Sequence, residues 1–159
     1  MYKKKMKRLL LPLLAALALP TAINAQSTYL TCNLNEKRSN NNAGEQKLRG
    51  GQIVTVPNPN SKFSDWETMN FIVEFTLNEE DQKGSVYFPN NGVTKKLALV
   101  NFQSESIIIS NSVDSNTKDV FDISRLDGSI FREIEFFGGT MILEYKGSCK
   151  KAEPKKTLF

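Results

Sequence analysis

The chain has 159 residues, 40% of them apolar, with 21 basic and 17 acidic side chains for a formal charge of +4. That length suits one domain with a sizeable core. It contains no histidine, which removes Ser-His-Asp and Cys-His arrangements, His-ligated zinc and the commonest acid–base group.

Lys3, Lys4, Lys5, Lys7 and Arg8 form a basic start, Leu9 to Leu19 an apolar core, and Ile23-Asn24-Ala25 a cleavage site before Gln26. This is the layout of a signal peptide over residues 1–25, and its apolar run is too short to span a bilayer. The leader takes five of the 21 basic residues and none of the 17 acidic ones, so the remaining 134 residues carry a formal −1. The basic balance of the whole chain therefore gives no reason to expect nucleic acid or stable membrane insertion. A periplasmic or secreted protein is expected.

Cys32 and Cys149 are the only cysteines and lie near the two ends of what remains. In an oxidising compartment such a pair predicts one disulfide. Cys32 alternates with Leu30 and Leu34, and Cys149 shares parity with Met141, Leu143 and Tyr145, so both belong to the apolar phase of strands. A free redox or metal pair is the alternative.

Residues 28–34 read as the first strand. Residues 35–51 are polar, hold Ser39-Asn40-Asn41-Asn42 and Gly50-Gly51, and read as a long loop. Residues 52–56 make a short strand closed by Pro57-Asn58-Pro59-Asn60. Ser64-Asp65-Trp66-Glu67 has capping-box spacing and predicts a single helical turn. Phe71, Val73, Phe75 and Leu77 alternate with Ile72, Glu74 and Thr76, the period of a strand with one buried face. Asn78-Glu79-Glu80-Asp81 is a turn without the ligand spacing of a calcium loop. Residues 85–88 and 93–102 form a hairpin around Pro89-Asn90-Asn91-Gly92. Residues 106–110 carry three successive isoleucines, and residues 114–118 turn again.

Residues 121–135 then read as two strands joined by Arg125-Leu126-Asp127-Gly128, since Asp-Gly between β-branched and aromatic residues is a strong hairpin signal. A two-residue turn would set Ile123 opposite Arg132. A bulged turn with Gly128 in the left-handed region would set Ile123 opposite Phe131 and Asp122 opposite Arg132, and this register is preferred because it sorts apolar and charged residues onto separate faces. Residues 140–146 form the last strand, and residues 150–159 read as a disordered basic tail. Eight or nine strands with frequent turns predict a single all-β domain over residues 26–149, a small antiparallel barrel or sandwich.

Tyr29-Leu30-Thr31-Cys32, Ile123-Ser124-Arg125-Leu126-Asp127-Gly128 and Gly147-Ser148-Cys149 together resemble small, uncharacterised exported bacterial β-proteins, in which threonine is commoner at the position of Asp127. The resemblance implies a fold and a compartment. The chain is also similar, more loosely, to periplasmic inhibitors of c-type lysozyme, eight-stranded barrels with a Tyr-x-x-Cys start and a late cysteine. Their Ser-Gly-x-x-Tyr loop has no clear counterpart here.

No glycine-rich phosphate loop precedes a helix, and no metal or cofactor set is expected. The predicted function is binding rather than catalysis: a protein partner held by loops, as in an inhibitor or envelope accessory factor. Residues 35–51 and 57–66 are the candidate loops. Trp66 reads first as a lid on the core and, if exposed, as the anchor, with Arg125 and Arg132 as anion clamps or as partners of Asp122 and neighbouring acids on the sheet surface. A carrier of a small apolar ligand inside the barrel is the first alternative. A carboxylate-based hydrolase using Asp65 or Glu67 with Glu74 is the second.

Overall fold

The computed structural model describes residues 27–41, 44–58, 60–114 and 116–154. The predicted signal peptide and residues 155–159 of the predicted tail lie outside them. The described residues are all-β, with eleven strands: β1 (Thr28–Asn40), β2 (Gly44–Arg49), β3 (Gln52–Pro57), β4 (Glu67–Asn78), β5 (Lys83–Phe88), β6 (Val93–Lys96), β7 (Leu99–Phe102), β8 (Ser106–Asp114), β9 (Thr117–Ser124), β10 (Ser129–Phe136) and β11 (Met141–Lys151).

Nine strands form one antiparallel sheet in the order β6-β5-β4-β1-β11-β10-β9-β8-β7, and β2-β3 is a separate hairpin. Its two edge strands are thus consecutive in the chain, joined only by Leu97 and Ala98. Leu97 N–H donates to the Gly84 carbonyl of β5 at 3.0 Å, which tucks that link against the sheet. The sheet curls until Phe75 of β4 meets Phe121 of β9 edge to face, with ring centroids 5.2 Å apart. Four ladders separate those strands, so the contact crosses the interior of a curled half-barrel.

Alternation decides what fills it. Leu30, Cys32 and Leu34 of β1 and Val73, Phe75 and Leu77 of β4 are buried, as are Ile107 and Ile109 of β8 and Phe121 and Ile123 of β9. Ile108 is half-buried on the outer face, so β8 has one buried face despite its isoleucine run. Cys32 lies opposite Cys149 in the β1–β11 ladder and is bonded to it.

Several sequence expectations change. The first strand does not stop at residue 34, and residues 35–51 are not a loop. β1 continues to Asn40 after an irregularity between Leu34 and Glu36, which appears in its ladders with both β4 and β11. The extra residue inverts the phase, so the even-numbered residues that faced inward now face outward and the apolar period is lost. Gly147 lies opposite this bulge because a β-carbon there would collide with the Asn33 carbonyl. β2 is paired with β3 through the Gly50-Gly51 turn, both glycines at positive φ. Residues 93–102 are two strands rather than one, and β11 runs on through Lys150 and Lys151 opposite Thr31 and Leu30.

The β9–β10 hairpin adopts neither predicted register. Ile123 pairs with Ile130, Asp122 with Phe131 and Phe121 with Arg132. The loop uses all four residues from Arg125 to Gly128, and Gly128 N–H donates to the Ser124 carbonyl at 3.1 Å. The loop is one residue longer than a bulged three-residue turn, which shifts every pair by one. Gly128 does occupy the left-handed region, at φ 73°, and a β-carbon there would lie 2.8 Å from the Cys149 carbonyl oxygen. Gly128→Val is expected to lower stability by about 1–2 kcal/mol or more, because a β-branched residue is strained at positive φ. Chemical denaturation of the variant checks this, and an effect within error of wild type would mean the turn relaxes freely.

Candidate functional site

The three residues singled out for binding occupy three different places. Trp66 ends the segment 61–66, which has no regular structure and lies beside the far end of β1. The expected helical turn is absent because Ser64 is engaged with β1. Its N–H donates to the Ser39 carbonyl at 2.8 Å, and its hydroxyl accepts from Ser39 N–H at 3.0 Å.

That docking brings Phe63 and Trp66 over the outer face of β1. The Arg38 guanidinium carbon lies 4.4 Å from the Phe63 ring centre and 4.5 Å from that of Trp66. Lys146 Nζ of β11 lies 4.1 Å from the Trp66 ring centre. Arg38 also pairs with Glu144, its cross-strand neighbour, which is buried. Trp66 itself is half-buried. Each exposed cation–aromatic contact stabilises by about 0.5–1 kcal/mol, so the three contacts together favour this arrangement. Lys146 makes no ion pair among the described residues.

Arg125 sits at one end of the barrel, in the β9–β10 loop. Its Nη1 donates to the Gln103 carbonyl at 2.8 Å and to Glu79 Oε1 at 3.3 Å, tying together three turns. Beside it opens a cleft of roughly 340 Å³. Thr28, Phe102, Ser124, Arg125 and Lys151 are among the residues that line it, and the core residues Leu30, Ile107 and Ile123 lie beneath. The turn is fixed to the disulfide, since Cys149 N–H donates to the Gly128 carbonyl at 2.7 Å.

In the same loop Asp127 accepts from the backbone N–H of Ser129 at 2.9 Å and from its hydroxyl at 2.8 Å. These bonds, led by the Ser129 N–H and joined by the Ser124 hydroxyl, lower its pKa from 3.8 to about 2. A depressed pKa means the folded turn prefers the carboxylate. Its contribution is therefore present above pH 3.8 and fades as pH falls through about 2. A carboxyl-carbon NMR titration should show a midpoint for Asp127 well below that of an ordinary aspartate, whereas a midpoint near 3.8 would mean the turn bonds do not persist in solution. Asp127→Asn keeps the acceptor for Ser129 N–H and should be nearly neutral at pH 7.

Arg132 is not on the sheet surface and does not pair with Asp122. It is buried inside the barrel, where Nε and Nη2 donate to the two Asp119 carboxylate oxygens at 2.9 and 2.8 Å. Its guanidinium carbon lies 4.7 Å from the Phe121 ring centre, 5.4 Å from Tyr145 and 5.6 Å from Phe88. Burial pushes the Tyr145 phenol above its usual pKa; Arg132 opposes that shift and Asp119 adds to it. Arg132 follows Ile130 on the inward phase of β10, and Asp119 precedes Phe121 on the inward phase of β9. That shared phase is the signal the surface assignment overlooked.

Sequence reasoning also missed Arg38, Phe63 and Lys146. Arg38 and Lys146 reach Trp66 from two other strands, β1 and β11, and Phe63 shares Arg38 with it; the bulge in β1 hides which face Arg38 is on. Of the carboxylates considered, Glu67 and Glu74 are not brought together: they lie on one strand, seven residues and roughly 20 Å apart. Comparison with protein-family models, curated proteins and solved structures finds no match.

Proposed function

We propose that the protein is an exported binding module without catalytic activity, and that it recognises a protein partner through the outer face around Trp66. The observation that carries the reading is the Phe63–Arg38–Trp66–Lys146 cluster. Tryptophan and arginine are the residue types that most often dominate binding energy at protein interfaces. Here Arg38 stands on β1 and Trp66 on the segment bonded to it, both half-buried and in mutual contact, so less side-chain entropy is lost on binding. Lys146, which has no ion pair among the described residues, favours a partner that presents a carboxylate at the centre of its contact.

Export is supported by the composition of the leader and by the Cys32–Cys149 bond, since disulfides persist in oxidising compartments. The periplasm or the extracellular space is the compartment that follows from both. A carrier enclosing a whole apolar molecule requires a continuous interior cavity, whereas Phe75, Phe121, Val73 and Ile109 occupy the middle of this barrel fully buried.

The test is to capture partners from the native envelope with purified protein and compare wild type with Trp66→Ala. A residue at the centre of the contact should weaken binding about thirtyfold or more, the scale of a 2 kcal/mol hot spot. The thermal midpoint of the variant controls for folding. Equal binding by both proteins would remove Trp66 from the site, and turnover of a substrate abolished by a carboxylate variant would overturn the binding-module reading altogether.

A further inference from the structure

The outer face of β1, β4, β5 and β6 carries a second candidate site, separate from the Trp66 cluster, which lies toward the other end of β1. A groove of roughly 450 Å³ runs over it. Cross-strand register sets its lining in two rows. Thr31, Glu74, Tyr87 and Thr94 stand opposite one another on successive strands, and Tyr29, Thr76 and Ser85 make the row beside them. These residues alternate with Leu30, Phe75 and Val86 of the core, so their side chains face outward. None of the seven is buried. The end of the chain closes one side: Ala152 N–H donates to the Tyr29 carbonyl at 2.9 Å, which brings Glu153 and Pro154 to the edge of the groove.

The charges around this lining balance. Glu74 and Glu153 are matched by Lys150, opposite Thr31, and Lys96, opposite Ser85. Lys83 lies further along, next to the acids of the turn at residues 79–81. The face therefore gives no net attraction to either sign of ion, and what remains is hydroxyl, carboxylate and ring chemistry. A carboxylate accepts several hydrogen bonds at once, and each tyrosine offers an apolar ring with a polar tip. Sugars need both, because a pyranose carries C–H groups on its faces and hydroxyls around its edge. Tyr29 and Tyr87 are two strand spacings apart, roughly 9–10 Å, with Glu74 on the strand between them. A single pyranose does not bridge that distance, but a short chain of them does. Equatorially linked pyranoses make a flat ribbon, which fits a sheet face better than a coiled chain.

We propose that this groove binds a neutral, flat, β-linked oligosaccharide, with sugar rings against Tyr29 and Tyr87 and hydroxyls donating to Glu74. Its volume falls in the range of small-molecule sites, roughly 300–1,000 Å³.

Titration of the purified protein with cellotetraose and with tetra-N-acetylchitotetraose, followed through the ring NMR signals of Tyr29 and Tyr87, tests this. At least one of the two should shift both rings saturably with a single dissociation constant, and its monosaccharide should bind at least tenfold more weakly. Maltotetraose, whose α-linkages coil the chain, should also be at least tenfold weaker than that tetrasaccharide. Tyr87→Ala and Glu74→Gln should each weaken binding about tenfold. Tyr87→Phe keeps the ring and should bind within threefold of wild type, and thermal midpoints control for folding in all three. Trp66→Ala should leave the sugar affinity unchanged; its loss there would move the sugar to the other cluster and overturn the assignment. No ring shift with either tetrasaccharide, equal affinity for the monosaccharide, or unaltered affinity in both Tyr87→Ala and Glu74→Gln would each overturn the proposal. Tyrosine signals that move on deletion of residues 155–159, while neither tetrasaccharide moves them, would overturn it in favour of the chain's own terminal segment as the occupant.

Discussion

Asp119→Ala is expected to destabilise the protein by about 3–5 kcal/mol, the usual cost of breaking a buried ion pair from one side. The carboxylate is buried and receives both the Nε and Nη2 donors of Arg132. Without it the guanidinium remains enclosed by Phe88, Phe121 and Tyr145 with no counter-charge. Ring faces attract a desolvated cation by about 2 kcal/mol or more per contact, but they supply neither a counter-charge nor the two acceptors of a bidentate carboxylate. Replacing both partners by apolar residues of similar size, Asp119→Leu with Arg132→Met, should recover most of the loss, since neither desolvated charge then remains. Urea denaturation of the single and double variants gives the comparison. A single variant within 1 kcal/mol of wild type would show that water enters the barrel freely at that end.

Much of this architecture is legible in the sequence because it depends on period-two alternation. Val73, Phe75 and Leu77 announce the buried face of β4, and the parity of Cys32 and Cys149 with neighbouring apolar residues announces two strands whose inward faces meet. The reading fails where a single extra residue changes the phase. Beyond Leu34 the bulge in β1 moves Arg38 and Asn40 to the outer face, and what reads as polar slack is a paired strand. The β9–β10 turn fails for a related reason. Asp127-Gly128 identifies a turn and its left-handed glycine, but three-residue and four-residue loops share that signal, and the difference of one residue moves every cross-strand pair. Trp66 is a separate case. Its chemistry is visible as a lone tryptophan, but Arg38 and Lys146 come from strands 28 and 80 residues away, and no local pattern reports such a contact.

Removing the disulfide through Cys32→Ala with Cys149→Ala is expected to cost about 2–5 kcal/mol, the range for a native bridge in a small domain. Two features place it toward the upper part. The residues are 117 apart in sequence, so the bridge excludes a large share of unfolded conformations, and the chain-entropy model allows up to about 4–5 kcal/mol for such a loop. The bond also lies across the β1–β11 ladder, the seam that joins the run β1-β4-β5-β6 to the meander from β7 to β11. Alanine is the informative substitution because Cys32 is fully buried, where a serine hydroxyl would add its own desolvation cost. Urea midpoints of the double variant and of wild type with and without reductant measure the effect. A loss under 1 kcal/mol would mean that the ladder alone closes the seam. The position of the bond makes the expected loss uneven as well. Cys149 N–H holds the Gly128 carbonyl, and that turn carries Arg125 to the barrel mouth. Amide exchange at Cys149 and in the Arg125–Gly128 loop should therefore accelerate more than exchange in the β4–β5 ladder, where Phe75 pairs with Val86 away from the bridge. Uniform acceleration would show that the bridge acts only on the unfolded chain and does not hold the mouth in shape.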